Sequence, residues 1–86
     1  MEMPSLEDYF IETYFFDLLP LAREIAQNYD FGDAEMIEAI CKVYEKSRQF
    51  PPIHNRTSWF RTVFTEKLYE ARSDILAFKV RKKKYG

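Results

Sequence analysis

Residues 56–80, RTSWFRTVFTEKLYEARSDILAFKV, decide the fold. Phe60, Phe64, Leu68, Ala71, Ile75 and Phe78 recur every three or four positions, while Arg61, Thr65, Glu66, Arg72, Ser73 and Lys79 fall mostly on the other side. That period is the signature of an amphipathic helix. At about 1.5 Å per residue such a helix would run roughly 37 Å, long enough to back a whole small bundle.

Working upstream, FPPIHN (50–55) is a break, and Asn55 or Thr57 is expected to cap the long helix. Before it, Met36, Ile37, Ile40, Val43 and Tyr44 form a second helical stripe. In DFGDAE (30–35), Gly32 is expected to stop the preceding helix in a positive-φ conformation and Asp33 to cap the next, with Glu35 favouring its positive end. Leu21, Ala22, Ile25, Ala26 and Tyr29 share one face of a helix that Asp17 would cap with Pro20 in its first turn; a single helix kinked at Pro20 is the other reading. Ser5, with Asp8 three residues on, reads as a short-armed capping box that opens the first helix. No segment alternates as a half-buried strand does. The expected fold is all-α, a small bundle of three to four helices with a long amphipathic C-terminal helix. Residues 1–80 would form one domain and 81–86 a basic, frayed tail.

Composition bounds the function. Eighty-six residues suit a single domain with a thin core, and a 17% aromatic content compensates because each buried ring removes a large apolar area from water. Only two glycines are present, so a glycine-rich phosphate cradle is excluded. The single cysteine, Cys41, cannot form an internal disulfide and reads as a small buried hydrophobe beside the apolar stripe. No apolar run approaches the length of a membrane helix, and the acidic start MEMPSLEDYF lacks a secretory pattern, so a cytoplasmic protein is expected. His54 has no second His or Cys at ligand spacing, and Ser58 four residues on lacks an orienting acid. Glu35 and Glu38 read as a solvated face. No enzyme, metal, cofactor or small-molecule substrate is expected.

Charge is divided. Residues 1–38 hold ten acidic side chains against Arg23 alone, a balance of −9, while residues 39–86 hold twelve Lys and Arg against four acids, a balance of +8. Either the two halves attract each other in the fold, or the basic half meets a nucleic-acid or other acidic partner. In HNRTSWFRTVF (54–64), Trp59 lies about 100° round the helix from Phe60, at the edge of the apolar stripe. There it either caps the core or stacks on an unpaired base between Arg56 and Arg61. Lys79, Arg81, Lys82, Lys83 and Lys84 would attract phosphates, or simply favour the negative end of the helix.

Residues 33–71, DAEMIEAICKVYEKSRQFPPIHNRTSWFRTVFTEKLYEA, resemble the C-terminal helical domain of DnaD-like primosomal proteins and the related tail domains of Gram-positive plasmid replication initiators. Both show an acidic, Ile-rich helix, a loop with an Asn, and a helix opening on an aromatic. The family's last helix spaces a Tyr, an Ile and a Trp four residues apart; Trp59 and Val63 match the first two, and Lys67 stands in place of the third. The resemblance implies an all-α fold, binding of single-stranded or duplex DNA, and helicase loading at an origin.

Together these readings give a DNA-binding stripe of Arg56, Arg61, Lys67, Arg72, Lys79, Arg81, Lys82, Lys83 and Lys84, with Trp59 stacking on a base, in a module of plasmid or phage type. The alternative is a protein-interaction or homodimerisation module, because Tyr9, Phe10, Tyr14, Phe15 and Phe16 exceed one helical stripe and some ring must stay exposed unless covered by a partner.

Overall fold

In a computed structural model that describes residues 4–52 and 55–85, with side chains as far as Lys79, the chain is all-α. Its elements are α1 (Leu6–Glu12), a 3-10 turn (Phe16–Leu18), α2 (Leu19–Asn28), α3 (Asp33–Gln49) and α4 (Arg56–Tyr85). His54 lies outside the described residues. Ser5 caps α1 as its sequence predicts: its Oγ accepts from the Asp8 N–H at 3.3 Å while Asp8 Oδ2 accepts from the Ser5 N–H at 3.0 Å. Asn55 caps α4, its Oδ1 accepting from the Ser58 N–H at 2.9 Å.

Helices α1 and α2 end in the same way. Tyr14 (φ 66°) and Asp30 (φ 60°) adopt left-handed backbone one residue past each C-cap. At the first end Phe15 N–H donates to Phe10 O at 2.9 Å and Tyr14 N–H to Ile11 O at 3.1 Å; at the second, Phe31 N–H donates to Ala26 O at 2.7 Å and Asp30 N–H to Gln27 O at 3.3 Å. These paired bonds are the Schellman closure, which satisfies carbonyls that a helix end otherwise leaves orphaned. Each closure then turns an aromatic, Phe15 or Phe31, back into the core.

Three capping expectations are corrected by this geometry. Gly32 has φ −99° and is not the stop; Asp30 is. Gly32 instead occupies the N-cap of α3, where its N–H donates to Glu35 Oε2 at 3.1 Å, so Asp33 is already the first helical residue. Asp17 does not cap α2 either. Leu18 holds that position without a side-chain bond. Pro20 falls in the first turn of α2, where its missing N–H costs no hydrogen bond, and so separates two helices rather than kinking one.

Helices α3 and α4 pack as an antiparallel pair, with α1 laid on α3 and α2 on α4. Phe10, Ile40, Val43, Phe60, Phe64 and Leu68 are fully buried at the centre. Phe60 and Phe64 stack at 5.0 Å, and Phe10 meets Phe64 edge-on at 6.2 Å. Cys41 is exposed, contrary to expectation, because it lies about 100° round α3 from buried Ile40. Burial ends at Ala71 although α4 continues unbroken to Tyr85, past the boundary at residue 80 read from the sequence. Beyond Ala71 the stripe surfaces: Ile75 is half-buried, and Phe78, expected on the apolar face, is 67% exposed. A 30-residue helix is about 45 Å long, which accounts for the 47 Å long axis of a molecule only 30 and 27 Å across. Among the described residues no helix is long and apolar enough to cross a membrane.

Candidate functional site

Two arginines of α4 each clasp one Schellman closure. Arg56 donates from Nη2 to the Tyr14 carbonyl at 2.7 Å and from Nη1 to Asp17 Oδ2 at 2.6 Å, with its guanidinium 4.8 Å from the Phe15 ring centroid. Arg72 donates from Nη2 to the Asp30 carbonyl at 2.6 Å, lies 4.0 Å from the Phe31 ring centroid, and has Glu35 Oε1 at 3.9 Å from its Nε. A guanidinium suits this place because its planar fork bonds a carbonyl while its face rests on a ring. Sixteen residues separate Arg56 from Arg72, and the same interval separates Tyr14 from Asp30. On α4 that interval sets the two arginines about 160° apart, one on each shoulder of the buried stripe. The matching intervals are visible in the sequence, yet without the tertiary packing nothing links them.

Arg56 and Arg72, both expected in one DNA stripe, therefore do not share a face. Both are engaged as described. Lys67 sits on the Arg56 side, where Nζ donates to Glu70 at 2.8 Å and to Glu66 at 3.4 Å; the bond to Glu70 holds its ammonium above the ordinary lysine range. Trp59 packs on the edge of the core, its indole stacked on Phe15 with centroids 6.5 Å apart and planes 15° apart. Arg61 and Lys79 are exposed and fall on one face by helical register. Arg81, Lys82, Lys83 and Lys84 are in α4, but their side chains lie outside the described residues. Of the ion pairs among the described residues, Arg56 with Asp17 and Arg72 with Glu35 join the acidic half of the chain to the basic half. Pairing of the halves is thus part of the fold, and among the described residues it occurs at the clasps.

Among the described residues lie two apolar depressions that the sequence reading did not single out. One, of about 490 Å³, lies where α4 leaves the bundle and is lined by Glu38 of α3 and by Asp74, Ile75, Phe78 and Lys79 of α4. The other, of about 410 Å³, is lined by Phe16, Asp17, Leu19, Pro20 and Arg23 at the start of α2. Near the second, Ile11 and Tyr14 are also exposed, so the first segment does present more apolar surface than its own bundle covers. Three comparisons, with protein-family models, with curated proteins and with solved structures, find no match to the chain.

Proposed function

We propose that the chain is a small helical protein-interaction module in which the bundle holds out the second half of α4 as a docking face. One observation carries this reading: the stripe that Phe60, Phe64, Leu68 and Ala71 bury continues as Ile75, only half-buried, and Phe78, which is exposed. A short helix is marginal in water by itself, and its stability comes from packing an apolar face. The overhang therefore calls for a partner. A photo-crosslinking side chain at position 78, with position 61 as control, tests it in cells producing the protein. Discrete protein adducts at 78 and not at 61 are expected; their absence at 78 would sink the reading.

A second reading, phosphate-backbone binding, keeps support from the register shared by Arg61 and Lys79 on a helix that runs on through the basic segment 79–84, and from the DnaD-like resemblance of residues 33–71. Its footprint is reduced, because Arg56, Lys67 and Arg72 already hold partners within the fold. Labelled DNA decides it by anisotropy at low and moderate salt. Salt-sensitive binding that drops when Lys82, Lys83 and Lys84 are replaced together by Ala supports it. A flat titration removes it.

A further inference from the structure

We infer that the partner on the overhang of α4 is a second copy of this chain, paired antiparallel about a two-fold axis. This rests on the interaction reading above and names the occupant. The groove beside the overhang is apolar along Ile75 and Phe78, with Glu38 and Asp74 at its inner end. The α2–α3 turn, which Arg72 of α4 ties down through the Asp30 carbonyl, adds Asp30 and Asp33, both exposed. Running outward from the groove, the same helix carries Lys79, Arg81, Lys82, Lys83 and Lys84. One molecule thus presents an acidic inner end and a basic outer segment on either side of one apolar strip.

Only an antiparallel neighbour matches that order. Its Ile75 and Phe78 enter the seam with those of the first copy, and its basic segment lies toward Glu38 and Asp74. The two-fold axis repeats the same match at the other end, so every favourable contact occurs twice. A parallel neighbour would set basic segment beside basic segment. Lys42 Nζ lies 3.0 Å from Asp74 Oδ2, yet the Asp74 side chain is 63% exposed and can accept a second cation. The opposed charges fix orientation more than they supply affinity, which comes from the apolar seam. With only about four turns of helix engaged, the dimer is expected to be weak and to depend on concentration.

Sedimentation equilibrium of the purified full chain, over a wide concentration range, tests this. Reversible dimerisation is expected, and Phe78→Glu should weaken it by about tenfold or more without unfolding the bundle, because Phe78 lies outside the core. Two charge-reversed proteins then probe orientation. Glu38→Lys with Asp74→Lys, and Glu in place of Lys79, Lys82, Lys83 and Lys84 together, which turns the outer segment acidic, should each lose self-association alone. Mixed together they should form a heterodimer, since both ends regain opposite charges. A wild-type monomer at the highest concentration would overturn the inference, as would dimers indifferent to Phe78→Glu or a mixture that fails to associate. Adducts from position 78 to a different protein, with a monomeric wild type, would overturn self-pairing while leaving the interaction reading standing.

Discussion

The two halves of α4 carry one periodic stripe to opposite ends. From Phe60 to Ala71 it is buried against α3 and α2; from Ile75 to Phe78 the same spacing meets the surface. Periodicity records which face of a helix is apolar, and not what covers it. The covering depends on where the other elements stop. Helix α3 runs antiparallel to α4 and meets Ile75 and Phe78 through Glu38 at the edge of an open groove, so the second half of α4 is covered only in part.

The sharpest contrast is between Phe64 and Phe78. Replacing fully buried Phe64 by Ala should cost about 3 to 5 kcal/mol in urea unfolding, a large share of the stability of a domain this size. In dilute protein Phe78→Ala should cost no more than about 0.5 kcal/mol, the scale of a surface change. Similar losses would erase the distinction between the halves.

Next come the clasps, which mark the two ends of the covered half. Arg56→Ala and Arg72→Ala should each lower stability by roughly 1 to 2 kcal/mol, from a hydrogen bond to a carbonyl and a cation stacked on a ring. Lysine at either site should recover little, lacking the planar fork. Because the Arg72 guanidinium sits closer to its ring and the Arg56 guanidinium closer to its carboxylate, raised salt should shrink the Arg56 effect more. Equal salt dependence would contradict that division.

A smaller and opposite effect is expected one residue past each C-cap. Tyr14 holds a left-handed backbone that strains a bulky side chain, and its ring is 78% exposed, so Tyr14→Gly should raise stability by about 0.5 to 1 kcal/mol. Asp30→Gly should gain less, because aspartate tolerates that region better. Thermal unfolding of the two variants checks the order.

The smallest effect is alkaline. The Lys67 ammonium is held above its ordinary value of 10.5 chiefly by the bond to Glu70, so its contribution is complete below that pH and is lost as pH rises through the raised value. Subtracting the unfolding curve of Lys67→Gln from that of the wild type, between pH 9 and 12, should isolate this decline. A difference independent of pH would mean that the Lys67–Glu70 bond does not form in solution.

Much of the fold was legible in the sequence. The α4 stripe as far as Ala71, the α3 stripe, the Ser5 capping box and the break between α3 and α4 are local patterns, and each appears as read. The helix stops were not. Glycine is the usual left-handed stop, and here Tyr14 and Asp30 take that conformation while Gly32 does not, because Schellman bonds and an arginine on each C′ carbonyl hold the strained residues in place. Arginines in a basic helix resemble phosphate contacts until the chain folds back. Only then do Tyr14 and Asp30 come within reach of Arg56 and Arg72, 42 residues away in each case. The groove at Glu38, Ile75 and Phe78 was hidden for the same reason, since it forms only where α3 and α4 come together.

Amide hydrogen exchange along α4, in dilute purified protein, tests most directly whether the helix divides at Ala71. Amides from Phe64 to Ala71 should exchange only through global unfolding, and those from Leu76 to Lys79 many times faster through local opening. Uniform protection across Ala71 in dilute protein would contradict the division, for it would mean that the chain itself covers the face assigned here to a partner.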